Sequence, residues 1–111
     1  MKPLVCVVVP VFNEAEVLPA FHTRLRAVMD RVADCRWEVL FVNDGSTDGS
    51  QGVIESLRAG DGRIGWIDLS RNFGKEIAMT AGLDHAQGDA VVIIDADLQD
   101  PPELIEQLLQ E

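Results

Sequence analysis

The chain has 111 residues, 47% of them hydrophobic and 25% charged, with a formal net charge of −10 and a pI of about 4.4. This size and composition predict one domain with a real core, and the negative charge argues against a broad nucleic-acid or anionic-membrane surface. No apolar run could span a bilayer, no signal peptide is visible, and Cys6 and Cys35 lack metal-ligand spacing, so we expect a cytoplasmic protein with reduced thiols.

Four short apolar runs alternate with four segments of helical periodicity. The strands are predicted over residues 4–9, 37–42, 64–69 and 91–94, and the helices over residues 17–32, 49–59, 76–86 and 103–110. Pro19 places the start of the first helix near Val17, because a proline deep inside a helix clashes with the carbonyl four residues earlier. Asp48 and Gln51 have the spacing of a capping box in front of the second helix.

Strands that alternate with helices across short connections predict an α/β fold with βαβ units and a mostly parallel sheet. Such sheets bind ligands beyond the carboxyl ends of their strands. Four loops of unusual composition fall on that edge, at residues 10–14, 43–48, 70–75 and 95–100. Their convergence predicts a binding site, and Asn13 and Glu14 are expected to be loop residues available to a ligand.

The fourth loop carries the strongest chemical signal. Asp95, Asp97 and Gln99 follow a strand of β-branched residues, and Pro101 and Pro102 end the segment. Residues two apart on an extended segment point to the same side, so these three side chains can converge. Two carboxylates and an amide oxygen suit Mg²⁺ or Mn²⁺ that holds a substrate's phosphates. The alternative is a solvated turn or a helix cap.

The second and third loops each have a functional and a structural interpretation. Residues 44–49 with Glu55 superficially match an EF-hand calcium loop, but a strand precedes them instead of a helix. This loop is interpreted either as a turn that binds a nucleobase edge or as a glycine-rich turn with a helix cap. Arg71 and Lys75 of the third loop suit phosphate oxygens. A local salt bridge to Asp68 or Glu76 explains them equally well.

Together these segments resemble the amino-terminal half of inverting, family-two glycosyltransferases with the GT-A fold. The nearest subgroup is that of the polyprenyl-phosphate glycosyltransferases, which include dolichol-phosphate mannose synthase. The matching segments span nearly the whole chain and read VVVPVFNE, EVLFVNDGSTDGS, LSRNFGKEIAMTAGL and GDAVVIIDADLQDPPE. The pattern D-x-D-x-Q-D-P-P in the last segment is particular to that subgroup.

The resemblance implies a Rossmann-like sheet, the nucleotide-binding half of a GT-A fold, with residues 1–111 as one part of a larger catalytic domain. It implies nucleotide-sugar contacts in all four loops, at Pro10, Phe12, Glu14, Asn43, Asp44, Ser46, Arg71, Lys75 and Asp95. It also implies a metal motif of Asp95 and Asp97 that Gln99 completes, with Asp97 in a catalytic role. Asn43 departs from the two consecutive acids of the wider family.

The implied reaction transfers a sugar from a UDP- or GDP-sugar to a polyprenyl phosphate with inversion, while the metal neutralises charge on the departing diphosphate. Because the acceptor half is missing, we expect donor binding more than turnover, and a full-length protein that works at the cytoplasmic face of a membrane. The edge of a truncated sheet could pair with a second copy to form a homo-oligomer. The alternatives are a nucleotide-binding module without chemistry and a phosphatase of the haloacid dehalogenase type.

Overall fold

The computed structural model describes residues 2–97 and 101–109. All eight predicted elements are present, and their ends differ from the prediction by at most two residues. In chain order they are β1 (Leu4–Val11), α1 (Leu18–Arg31), β2 (Arg36–Asn43), α2 (Ser50–Gly60), β3 (Ile64–Asp68), α3 (Lys75–His85), β4 (Ala90–Ile93) and α4 (Glu103–Leu109).

The strands form one parallel sheet in the order β3-β2-β1-β4. Val8 of β1 pairs with Leu40 of β2 on one side and with Ile93 of β4 on the other. The first strand of the chain is therefore internal, and its residues 5–11 are all buried. The α/β class and the parallel sheet are confirmed. Pairing of a sheet edge with a second copy stays a prediction.

Helices cover both faces of the sheet. The side chains of Val7 and Val9 belong to the larger core, in which the rings of Phe21 and Phe41 meet edge to face with centroids 6.5 Å apart. Val8 belongs to the smaller core under α3. There Gly82 allows a close approach, because a Cβ at this position would lie 2.4 Å from Val8 Cγ1. The strands that lead to the carboxyl edge are thus packed between helices on both faces of the sheet.

The start of α2 differs from the prediction. Its N-cap is Gly49, so Asp48 lies one residue too early for a capping box with Gln51. Asp48 Oδ1 instead accepts hydrogen bonds from the Ser50 hydroxyl at 2.6 Å and the Ser50 backbone N–H at 2.9 Å. The hydroxyl bond is the main reason that the pKa of Asp48 lies below its usual value. The side chain of Gln51 instead contacts Asn43 at the end of β2.

Two further observations bear on the predicted chemistry of the chain. Both cysteines are free thiols, and Cys6 is fully buried in β1 as a small apolar side chain. Within residues 2–97 and 101–109, no helix combines the length and the hydropathy that crossing a bilayer requires.

Candidate nucleotide-binding site

The carboxyl edge of the sheet brings all four predicted loops together. A first cavity of about 440 Å³ opens there. Its lining residues come from every loop: Pro10, Val11, Phe12, Glu14, Asp44, Asn72, Gly74, Lys75, Asp95 and Asp97. Parallel strands end on the same edge, so residues far apart in sequence share one cavity.

The first cavity contains a cation among carboxylates. Lys75 Nζ donates a hydrogen bond to Asp95 Oδ2 at 2.6 Å, and this bond raises the pKa of Lys75 above its usual value. Burial raises the pKa of Glu14, and the negative charges of Asp97 and Asp95 raise it further. The salt bridge considered for Lys75 is therefore present, but its partner is Asp95 on the fourth loop rather than Asp68 or Glu76.

The carboxylates fit a divalent cation that is shared with a phosphate ligand. Asp95 and Asp97 line the first cavity together, whereas Gln99 lies outside the described residues. In the part of the chain that the structure describes, no three His, Cys, Asp or Glu side chains are grouped closely enough to hold a metal by themselves. Mg²⁺ is commonly held by one or two carboxylates, with water and substrate phosphates as its other ligands. Two aspartates beside an open cavity meet that requirement.

Asp44 organises the third loop. Its side chain is buried, and its carboxylate accepts hydrogen bonds from the backbone N–H groups of Phe73 at 2.8 Å and Gly74 at 3.1 Å. The side-chain amide of Asn72 donates a third bond at 3.3 Å. The neighbouring Gly45 has a φ of +69°, and a Cβ there would lie 2.3 Å from the backbone of Arg71 and Asn72. The second loop thus packs directly on the third.

Asn13 connects the first loop to the second. Its φ of +53° lies in the left-handed region, which asparagine tolerates better than most residues. Asn13 Oδ1 accepts hydrogen bonds from the backbone N–H groups of Thr47 at 2.7 Å and Asp48 at 3.2 Å, and its own N–H donates to Ser46 Oγ at 3.0 Å. Asn13 Oδ1 therefore holds the second loop, while the residue itself is exposed, and its availability to a ligand stays a prediction.

A second cavity of about 610 Å³ lies beside the first, and Phe12 lines both of them. The other residues around it come from the second and third loops and from the ends of β2, α2 and β3: Asn43, Gly45, Ser46, Thr47, Gln51, Asp68, Leu69, Ser70, Arg71 and Asn72. Phe12 is 45% exposed. The Arg71 guanidinium lies 4.7 Å from the centroid of the Phe73 ring. This cavity therefore combines flat apolar surface with amide and carboxylate groups.

The sequence-based site omitted Gln51, Asp68 and Asn72. Asn43 Nδ2 lies 3.0 Å from the Gln51 side-chain amide and 3.4 Å from Asp68 Oδ1, so these three groups form one polar cluster. Asp68 ends β3, and the strand-end rule that selected the other loops would have found it. Gln51 carried no such signal, because it lies inside a helix.

Comparison with known proteins places the chain in one family. The model of glycosyl transferase family 2 matches residues 6–111. YkcC of Bacillus subtilis, an uncharacterized glycosyltransferase, is 52% identical over 104 residues, which are 94% of this chain and 32% of that protein. The bactoprenol glucosyl transferase of Shigella phage SfV is 45% identical over 106 residues, which are 96% of this chain and 34% of that protein.

A solved structure agrees with the family match. The mannosyltransferase PcManGT from Pyrobaculum calidifontis, in complex with GDP-Man and Mn²⁺, superposes with a TM-score of 0.76 at 30% identity, over 87% of this chain and 28% of that one. The chain spans about a third of the length of the two curated relatives. Since the family model matches nearly the whole chain and the parallel sheet agrees with GT-A glycosyltransferases, this chain belongs to glycosyl transferase family 2.

Proposed function

We propose that residues 1–111 are the donor-binding part of an enzyme that transfers a sugar from a UDP- or GDP-sugar to a polyprenyl phosphate, with inversion at the anomeric carbon. The observation that carries this proposal is the meeting of two unlike cavities at Phe12. One cavity offers carboxylates and a lysine, and the other offers an exposed ring and a polar cluster. A nucleotide sugar has the same two ends, a charged diphosphate and a planar base.

The diphosphate end belongs to the first cavity. Asp95 and Asp97, with Gln99, would hold Mg²⁺ or Mn²⁺, and the cation would supply Lewis-acid neutralisation of the charge on the departing diphosphate. Asp97 has its catalytic role as a metal ligand. Lys75 adds a point charge in this cavity. Arg71 lines the second cavity and adds a guanidinium that can form paired hydrogen bonds to the diphosphate from that side. Pro10 and Glu14 form the wall of the first cavity.

The base end belongs to the second cavity. The exposed ring of Phe12 provides a stacking surface, and Asn43 provides amide groups for the edge of the base. Ser46 lies beside them at the wall of the cavity. Asp44 acts mainly by holding the backbone of the third loop. Because that loop lines both cavities, Asp44 also fixes the position of the diphosphate end relative to the base end. Asp68 and Gln51 join Asn43 in recognising the base.

The acceptor is proposed from the relatives. The phage protein is named a bactoprenol glucosyl transferase, which supports a polyprenyl phosphate as acceptor. The place of work that we propose is the cytoplasmic face of a membrane. An ionised phosphate is already a nucleophile, so this half of the reaction needs no general base.

Thermal unfolding with ligands tests the donor site. A ligand at a hundred times its dissociation constant stabilises the fold by about 2.7 kcal/mol, and each kcal/mol raises the Tm of a small domain by about 4–8 °C. UDP or GDP with Mn²⁺ should therefore raise the Tm by about ten degrees or more. The same nucleotide with a chelator should raise it much less, and ATP should have little effect. The proposal would be contradicted if neither UDP nor GDP, in the presence of Mn²⁺, changed the Tm of a folded sample.

Calorimetry with one substitution tests the metal ligands. Asp97→Asn should weaken Mn²⁺-dependent nucleotide binding and leave the fold intact, because the side chain is exposed at the cavity. Asp84→Asn, on the exposed face of α3, removes the same charge elsewhere and serves as the control. Equal Mn²⁺ affinities in the two variants would remove Asp97 from the metal site.

A further inference from the structure

Lys75 and Asp95 form an ion pair, although the proposed reaction assigns them different partners. Asp95 would bind the metal, and Lys75 would bind the diphosphate. Lys75 is the first residue of α3 and Asp95 follows β4 by two positions, so the pair connects separate βα units. The lysine side chain is 59% exposed and the aspartate side chain 26% exposed. A lysine this exposed can change its direction without disturbing the core.

We propose that Lys75 is an internal counter-cation: its ammonium group holds Asp95 in place of the divalent metal, and moves to the diphosphate when metal and nucleotide bind together. This inference rests on the proposed function, because it takes Asp95 as a metal ligand. It adds to that function a coupling between the binding of the metal and the binding of the nucleotide. Metal without nucleotide is bound weakly, and each ligand strengthens the binding of the other.

The position of the Lys75 ammonium group makes it a competitor of the metal. Lys75 Nζ lies 2.6 Å from Asp95 Oδ2, the oxygen atom that it hydrogen-bonds. A divalent cation on that carboxylate would lie at about 2.1 Å from its oxygen. Two positive groups so close to one carboxylate repel each other strongly in a partly buried site. The lysine must therefore leave when the metal arrives.

The charges around the pair decide where the lysine goes. In the first cavity, Lys75 lies among the carboxylates of Glu14, Asp95 and Asp97. A metal alone would take Asp95 from Lys75 and offer it no new anion. A nucleoside diphosphate brings phosphate oxygens into the same cavity, and these are good partners for an ammonium group. A metal that arrives together with a nucleoside diphosphate therefore gives Lys75 a new anionic partner in exchange for Asp95.

A purely structural ion pair makes a different prediction. If the pair only fastens α3 to the fourth loop, its removal lowers stability and leaves the affinity for metal unchanged. If Lys75 competes with the metal, its removal raises the affinity for metal alone. Coupling between two ligands is commonly 5–150-fold, so the effect lies within reach of calorimetry.

The chain offers a matched control, because Lys2 is its other lysine. Lys2 is exposed, and its ammonium group donates to the carbonyl oxygen of Ala33 at 2.8 Å, outside both cavities. Lys75→Met and Lys2→Met remove the same charge from the same acidic chain. Any difference between them therefore reports the position of the charge and not its amount.

Calorimetric titration with Mn²⁺, with and without UDP or GDP, is the test. Without nucleotide, Lys75→Met should bind Mn²⁺ about tenfold more tightly than Lys2→Met does. In Lys75→Met the nucleotide should no longer strengthen Mn²⁺ binding to the wild-type extent, whereas Lys75→Arg should retain part of the coupling. Equal Mn²⁺ affinities in Lys75→Met and Lys2→Met would overturn the inference. If the wild type still binds UDP or GDP with Mn²⁺, the proposed function survives that result.

A measurement on the unsubstituted chain covers the case in which Lys75→Met does not fold. Lysine labelled with ¹³C at Cε gives two NMR signals, which Lys2→Met distinguishes. Mg²⁺ alone should shift the Lys75 signal, and UDP or GDP added afterwards should shift it again, while the Lys2 signal stays in place. A Lys75 signal that does not respond to either addition would overturn the inference.

Discussion

The carboxylate of Asp44 accepts a hydrogen bond from the backbone N–H of Phe73 at 2.8 Å. One buried side chain at the end of β2 therefore sets the path of the third loop. That loop carries Arg71 and leads directly into Lys75. Its backbone is therefore held by an acid that lies nearly thirty positions earlier. Substitution of Asp44 should therefore affect the diphosphate end of the site indirectly.

Asp44→Ala should lower the free energy of unfolding by about 1.5–3 kcal/mol, because hydrogen bonds to a charged group are lost and backbone donors become unpaired. Asp44→Asn keeps one acceptor oxygen and should cost less. Urea unfolding measures both. Asp84→Ala on the exposed face of α3 is the control and should stay within about 0.5 kcal/mol of the wild type. Losses of equal size at Asp44 and Asp84 would show that the third loop does not depend on Asp44.

Asn13 allows backbone strain to be separated from hydrogen bonding. Both Asn13→Ala and Asn13→Gly lose the hydrogen bonds to Thr47 and Asp48. Of the two new residues, only glycine adopts a φ of +53° without a steric penalty. Asn13→Ala should therefore be less stable than Asn13→Gly by about 1 kcal/mol, the cost of the left-handed conformation. Thermal unfolding of the two variants gives this difference. An alanine variant as stable as the glycine variant would mean that the loop had abandoned this backbone.

Two glycines should respond oppositely to the same substitution. Gly82→Ala places a Cβ 2.4 Å from Val8 Cγ1, and overpacking of this kind costs about 1–3 kcal/mol. Gly52 is an exposed residue of α2 with nothing within 4 Å of an added Cβ. Gly52→Ala should raise stability by about 0.5–1 kcal/mol, because alanine is the better helix former. Urea unfolding measures both changes, and a stabilising Gly82→Ala would contradict the close approach of α3.

Asp61 should make the stability of the fold sensitive to acid. Burial alone would raise its pKa, but hydrogen bonds from Arg63 at 2.8 Å and 2.9 Å, with His22 Nε2 at 3.2 Å, hold the pKa well below its usual value. The folded pKa is thus lower than the unfolded value of about 3.9. The stabilisation is complete above that unfolded value and is lost as pH falls toward the folded pKa.

Asp61→Asn removes this dependence. The variant should be less stable than the wild type at pH 7, and the difference should shrink as pH falls from about 5 to about 2. Urea unfolding at several pH values measures the difference, and Asp84→Asn provides the exposed comparison. A constant difference across this range would show that the carboxylate of Asp61 is not held in its charged form by the fold.

The elements of the fold could be predicted because their signals are local. The apolar run of β1, the position of Pro19 and the polar residues after each strand lie within short windows of sequence. The rule that parallel strands end on one edge then brought Phe12, Lys75 and Asp95 to the same site. The roles of these residues as ligand contacts stay predictions.

The pairing of side chains could not be predicted in the same way. Lys75 could be matched with Asp68 or Glu76 by proximity in sequence, but its partner is Asp95, twenty residues away. That contact depends on where β4 lies relative to α3, which no short window contains. The hydrogen bonds of Asn13 could not be predicted for the same reason, since its partners lie more than thirty positions later in the chain.

The internal position of β1 has a consequence for folding during synthesis. β2 is complete once Asn43 has left the ribosome, but the other edge of β1 must wait for Ile93 of β4, 50 residues later. At about 5–20 residues per second, that edge stays without its partner for roughly 3–10 seconds. An apolar strand with an open edge is a template for pairing with other chains. Slower translation between residues 43 and 93 should therefore increase aggregation of nascent chains more than an equal delay after residue 93.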